Sequence, residues 1–240
     1  RSFFGVLCGE CRNVGFVDAN ISSPNTGIGI IAGYVGLAAG AENYTGKITN
    51  CYTTGVLKGS GAAGGIGGVL GGSGYIKNCY SSATVIDQIA NNTGKAGGII
   101  GRVNGNASGS SIENCYTSGD INAIGGGNAG GIVGKVDGGK LVIKNCIAWN
   151  SMLVSTDKAK VGRIVGGTAN ATYENCYAYD GVILKAGEAT FTVSDETSPS
   201  GSSFQGVAKS ANELKNTVIN WDSSLWKEGS NGYPVFKWSK

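Results

Sequence analysis

Gly98-Ile99-Ile100-Gly101, followed by Ile112-Glu113-Asn114-Cys115-Tyr116, is the stretch that decides the fold. The first segment returns as Ile30-Ile31-Ala32-Gly33, Gly65-Ile66-Gly67-Gly68, Gly131-Ile132-Val133-Gly134 and Arg163-Ile164-Val165-Gly166. Its closing glycines are separated by 35, 33, 33 and 32 residues. Phe3-Phe4-Gly5 fits as an earlier copy, 28 residues before Gly33. The second segment returns as Ile48-Thr49-Asn50-Cys51-Tyr52, Ile76-Lys77-Asn78-Cys79-Tyr80, Ile143-Lys144-Asn145-Cys146-Ile147 and Tyr173-Glu174-Asn175-Cys176-Tyr177. Cys11-Arg12-Asn13-Val14-Gly15 is a divergent first copy. A third short piece often follows, as in Gly55-Val56, Gly119-Asp120-Ile121 and Gly181-Val182. Each repeat therefore offers about three short strands.

A period near 33 also suits helical repeats. Glycine argues against helices here, at about 1 kcal/mol each relative to Ala. The apolar runs are short and β-branched, which suits strands. A β-sandwich leaves unexplained why one residue type returns at one place in every repeat. Stacked rungs explain it, since identical side chains then lie about 4.8 Å apart in ladders. The expected fold is all-β, a parallel β-helix (solenoid) of about six rungs. Crossover chirality makes it right-handed. The position after the repeat Ile reads Lys77, Glu113, Lys144, Glu174, and this alternation of sign supports the register.

The ladders also set expectations for the cysteines. Five of the seven, Cys51, Cys79, Cys115, Cys146 and Cys176, share one repeat position. Stacked Cβ atoms at the rung spacing lie farther apart than the roughly 3.8 Å of a disulfide. A straight row does not converge on a tetrahedral metal either. Small buried reduced thiols are expected, inward beside Ile48, Ile76, Ile112, Ile143 and Tyr173. Cys11 occupies the repeat Ile position. Cys8-x-x-Cys11 leaves a metal or redox pair as a minor alternative. The preceding asparagines tolerate a left-handed bend and can bond from rung to rung; a ligand site on them is the lesser reading.

Composition bounds the function. Gly is 43 of 240 residues, yet 41% of the chain is hydrophobic, so it can bury a core. Net charge is +3 with no basic run, which excludes a nucleic-acid footprint. No apolar stretch of about 18 residues can span a membrane. The chain has no His, the commonest general base and metal ligand. Its start at Arg1, already in an apolar segment, reads as a processed fragment. Gly59-Ser60-Gly61-Ala62-Ala63-Gly64 matches a dinucleotide fingerprint by letter, but no helix follows it.

The repeats fill 1–186, and 187–240 is expected to be a C-terminal cap. Ser210-Ala211-Asn212-Glu213 is a capping box before a short helix. Three of the four Trp follow residue 220. An aromatic, non-repeating tail suits the covering of a last rung. A carbohydrate platform of Trp faces is the alternative.

Gly-Gly-Ile-Val-Gly followed by Ile-x-Asn-Cys-Tyr resembles the GLUG-motif repeats of large bacterial surface proteins over about residues 1–185. The tail, with Gly232-Tyr233-Pro234-Val235-Phe236-Lys237-Trp238, is similar to the ending of such proteins from gut Bacteroides-type bacteria. The resemblance implies an exported, adhesin-like, non-enzymatic role at the bacterial cell surface. It implies host glycans or surface proteins as partners, and no cofactor or metal. Tyr52, Tyr80, Tyr116 and Tyr177 follow the cysteines and point outward by strand alternation. They are the candidate ligand-contact surface, or else a shield for the solenoid wall. A polysaccharide lyase or glycosidase on the same scaffold is the alternative, and it needs paired carboxylates. A weaker third reading is an ice-binding Ser/Thr array built from the rows Thr53, Ser81, Thr117 and Thr54, Ser82, Ser118.

Overall fold

The computed structural model describes residues 1–37, 44–168 and 171–239. The chain winds through six rungs, and each strand pairs in parallel with its equivalents in neighbouring rungs. The rung has four sides, one more than the three strands read from the repeat. In the second rung they are Ala32–Val35, Lys47–Thr49, Tyr52–Gly59 and Ala62–Gly64. The unforeseen fourth side recurs as Gly27–Gly29, Lys95–Gly97, Asn128–Gly130 and Val161–Gly162. Two or three small residues carry too short a pattern to read as a strand by alternation.

The expected register is present. Ile48, Ile76, Ile112, Ile143 and Tyr173 pair in succession, and Cys11 takes the same place in the first rung. The four isoleucines and the cysteines Cys51, Cys79, Cys115 and Cys146 are fully buried. Ile31, Ile66, Ile99, Ile132 and Ile164 form a second spine. Each backbone N–H donates to the carbonyl of the next, at 2.9–3.0 Å, and Ile164 donates to Phe204 at 3.0 Å.

The interior is divided into two apolar clusters. One lies among the first side, the second side and the start of the third. The other lies between the rest of the third side and the fourth. The backbones of the first and fourth sides meet between them, and this contact dictates the glycines. A Cβ on Gly101 would stand 2.5 Å from the Ala63 nitrogen, and one on Gly130 would stand 1.9 Å from the Val133 oxygen. Glycine costs about 0.5–1 kcal/mol of chain entropy relative to Ala in a strand. Burying one Ile contributes about 1.5–3 kcal/mol. The isoleucine spine beside the seam therefore outweighs the glycines that permit it.

The tail differs from the single lid expected over 187–240. Its first part closes the last rung. Ala189–Phe191 folds back antiparallel on Ile183–Ala186, and Val207–Lys209 pairs with Tyr177–Tyr179. Phe204 is buried against the last rung, where it bridges Val165 and packs on Tyr173 at 4.5 Å. Arg163, which breaks the repeat where earlier rungs carry Gly65, Gly98 and Gly131, clamps this lid. Its guanidinium donates to the carbonyls of Gln205 and Gly206 and pairs with Asp195 at 2.8 Å. The second part lies along the side of the solenoid. It consists of α1 (Ala211–Trp221), opened by the expected capping box of Ser210 and Glu213, and a hairpin of Trp226–Glu228 with Pro234–Phe236. The three late tryptophans belong to this side plate and leave the end of the solenoid to Phe204.

Candidate functional site

The corner between the second and third sides sets the site. Asn13, Asn50, Asn78, Asn114, Asn145 and Asn175 hold φ between 50° and 55°, the left-handed bend that lets Ile and Cys both point inward. From Asn50 onward each Nδ2 donates to the Oδ1 of the asparagine one rung earlier, at 3.0–3.2 Å. Each ladder thiol in turn lies near two carbonyls. Cys115 Sγ is 3.2 Å from the Glu113 oxygen and 3.7 Å from that of Ile76. Burial pushes the thiols of Cys79, Cys115 and Cys146 well above their ordinary range. Cys8 alone among the cysteines is exposed.

The next residue on each rung points outward, as alternation requires. Tyr52, Tyr80 and Tyr116 stack in register with ring centroids 5.0 Å apart and interplanar angles of 7° and 4°. The sequence left them as a ligand-contact surface or as a shield for the solenoid wall, and in the fold they lie beneath the side plate. Trp226 and Phe236 of the side plate cover the row, and Tyr80 and Tyr116 are 6% and 1% exposed. Their faces lie against one another, so no sugar ring can stack there. Burial raises both phenols above their usual range. Tyr177, the fourth of the set, carries Lys209 Nζ over its ring at 3.9 Å. The rings thus act mainly as the floor on which the tail packs.

What the tail leaves open is a groove of about 520 Å³ beside that floor. One wall is the outward hydroxyl row Thr54, Ser82 and Ser118; the other is the hairpin with Lys227, Glu228 and Asn231. Lys215 of α1 fixes the hairpin through Glu228 at 2.9 Å. The companion row Thr53, Ser81 and Thr117 is buried, with Thr53 Oγ1 bonded to Ser81 Oγ at 2.9 Å. Only one of the two rows is therefore available to an ice-like array. A second recess, of about 370 Å³, lies at the last rung and brings Glu174 and Glu196 beside Tyr173, Tyr177 and Phe204. Both carboxylates are engaged. Glu174 pairs with Lys144 at 2.8 Å, and Glu196 accepts the Gln205 N–H at 2.9 Å and the Ser200 hydroxyl. Among the described residues no group of three or more Cys, Asp or Glu side chains converges on a metal position.

The chain matches a solved protein of Bacteroides ovatus described as a "putative immunoglobulin A1 protease". The two are 53% identical with a TM-score of 0.90, over all of this chain and 72% of that one. This chain belongs to that protein's family. The matched part of that protein shares the fold of this chain. No protein-family model matches the chain, and no curated protein matches it. The likeness to GLUG-motif repeats is carried by the quoted residues alone. No helix among the described residues is long and apolar enough to cross a membrane.

Sequence reasoning found the ladders but missed the groove. Thr54, Ser82 and Ser118 were legible as a stacked row. Lys227, Glu228 and Asn231 carried no such mark, because nothing periodic links the hairpin to the wall it faces.

Proposed function

We propose that this chain is a non-enzymatic recognition module displayed at a bacterial cell surface, which contacts host glycans or glycoproteins through the groove beside the tyrosine floor. The groove itself carries the reading. A rigid wall of stacked hydroxyls faces a braced hairpin, so neutral donors and acceptors are held at the rung spacing, as a hydroxyl-rich ligand requires. The family member's name, with its reference to an immunoglobulin, fits contact with a secreted host protein. Ser82 is exposed on the wall. Ser82→Trp is expected to abolish binding to an immobilised glycan and host-glycoprotein array while leaving the melting temperature unchanged. Unaltered array binding by the folded variant removes the groove from the proposal.

Two observations favour catalysis instead. The first is the family member's name, which points to peptide cleavage. A chain without His cannot supply the His-Glu-x-x-His zinc motif or a Ser–His pair. The second is the recess with Glu174 and Glu196. Carboxylates that act as acid and nucleophile must be free to exchange protons. Here one is held by Lys144 and the other by the lid backbone. Turnover of immunoglobulin A1 or of any polysaccharide by the purified chain, abolished by Glu196→Gln, overturns the non-enzymatic reading.

A further inference from the structure

The asparagine ladder has a direction, and its two ends are chemically different. Every amide from Asn50 to Asn145 both donates to the rung before and accepts from the rung after. Asn175, in the last rung, only donates. Its Oδ1 accepts no hydrogen bond from any described residue, and the residue is exposed. Aligned amides polarise one another along such a chain. The terminal oxygen is therefore a stronger acceptor than an isolated amide, and it is fixed in place by a left-handed backbone at φ 50°.

Asn175 lines two recesses, the one that holds Glu174 and Glu196 at the last rung and a second one beside α1. The end of α1 and the end of the ladder together bound the second, a shallow recess of about 350 Å³ lined by Asn145, Asn175, Tyr177, Thr217, Asn220 and Trp221. Trp221 is half-buried and packs edge-to-face on Trp226 at 6.1 Å, which sets the orientation of its indole. A fixed indole, the last amide of the ladder and the Asn220 amide thus line one recess, with the Asn145 amide already engaged in the ladder. The combination suits a pyranose: an apolar ring face against the indole and hydroxyls that both donate and accept at its rim.

From this we infer that the recess beside α1 is a subsite for a neutral saccharide, with Asn175 Oδ1 accepting a sugar hydroxyl and Trp221 taking the ring face. The subsite lies at the opposite end of the tyrosine row from the groove, and it stands or falls independently of the function proposed for that groove. The side chains that line it are uncharged, with the Lys209 ammonium over the Tyr177 ring as the nearby cation.

The test uses the whole chain, with methyl β-galactoside, methyl α-mannoside, N-acetylglucosamine and N-acetylgalactosamine as probes. The readouts are the Trp221 indole N–H and the Asn175 side-chain amide in nitrogen–proton correlation spectra. At least one probe is expected to shift both at millimolar concentration. Asn175→Gly keeps the left-handed backbone and removes the amide, and it should weaken that binding about fivefold, the equivalent of one neutral hydrogen bond. Trp221→Ala should remove it, and Trp221→Phe should restore part of it. The inference is overturned if no probe moves the Trp221 signal, or if binding is unchanged in both Asn175→Gly and Trp221→Ala. It is equally overturned if shifts appear only at Asn231 and the groove, an outcome that leaves the groove proposal standing.

Discussion

Two places in each rung turn the chain by opposite means. At the corner between the second and third sides, side chains do it: an asparagine bends the backbone, its amide bonds to the next rung, and a thiol fills the space beneath. Where the first side meets the fourth, the absence of side chains does it, because the two backbones approach too closely for any Cβ. The difference teaches what each place tolerates. A corner made of hydrogen bonds loses stability by increments. A contact between backbones has no soft component to give way.

The largest expected effect is at the seam. Gly130→Ala places a methyl 1.9 Å from the Val133 oxygen and 2.6 Å from the Gly166 nitrogen, both backbone atoms. A cost of at least about 4 kcal/mol follows, which lowers the melting temperature by about 8–16 °C for a chain of this size. Calorimetry showing a drop of only a degree or two would mean that the seam can open and that the contrast is false.

The corner should respond in two steps. Asn114→Ala removes two ladder bonds, one given and one received, and forces Ala to a φ of 50°. Losing these bonds and straining the backbone should cost about 2–3 kcal/mol in urea unfolding. Asn114→Gly keeps the bend and should cost roughly 1 kcal/mol less. Equal losses in the two variants would show that the amide alone holds the corner and the bend contributes nothing.

The smallest effect concerns the thiols beneath the corner and appears only in alkali. Burial raises Cys79, Cys115 and Cys146 above the ordinary value of 9.0, so the folded chain keeps these protons when the unfolded chain releases them. Their stabilising contribution is complete below the unfolded value. It declines as pH rises past it, by up to about 1.4 kcal/mol per unit for each thiol. Cys115→Val should remove one thiol's share of the slope between about pH 9 and pH 10. A slope identical to that of the unmodified chain would mean that Cys115 titrates in the fold as it does in the unfolded chain. In the native protein at neutral pH, a thiol reagent should label Cys8 rapidly and the ladder cysteines only on unfolding.

Legibility in the sequence followed the same division. The corner could be read residue by residue, because Ile, Asn and Cys return together and each type has one physical reason to be there. The seam was read only as a glycine excess. Strands such as Asn128–Gly130 have no pattern of their own, and the partner backbone that forbids a Cβ is not written beside them. The tyrosines were correctly assigned to the outer face but not to the plate above them, and the groove needed both. Arg163 was visible as a departure from the repeat, while its partners Asp195, Gln205 and Gly206 lay in a stretch without repeats.

By itself the sequence determined the period, the register and the interior rows, down to the alternating charges that place Lys144 against Glu174 at 2.8 Å. Stacked copies meet their own equivalents, so one repeat read carefully contains nearly all the contacts of its neighbours. Tertiary structure alone decided how the tail folds onto the wall, where Tyr116 hydroxyl donates to the Pro234 carbonyl 118 residues away. It also decided that the last amide of the ladder shares a recess with Trp221. Contacts between a repeat and a unique segment have no second copy to betray them. Shape and burial fix them once, in the folded chain.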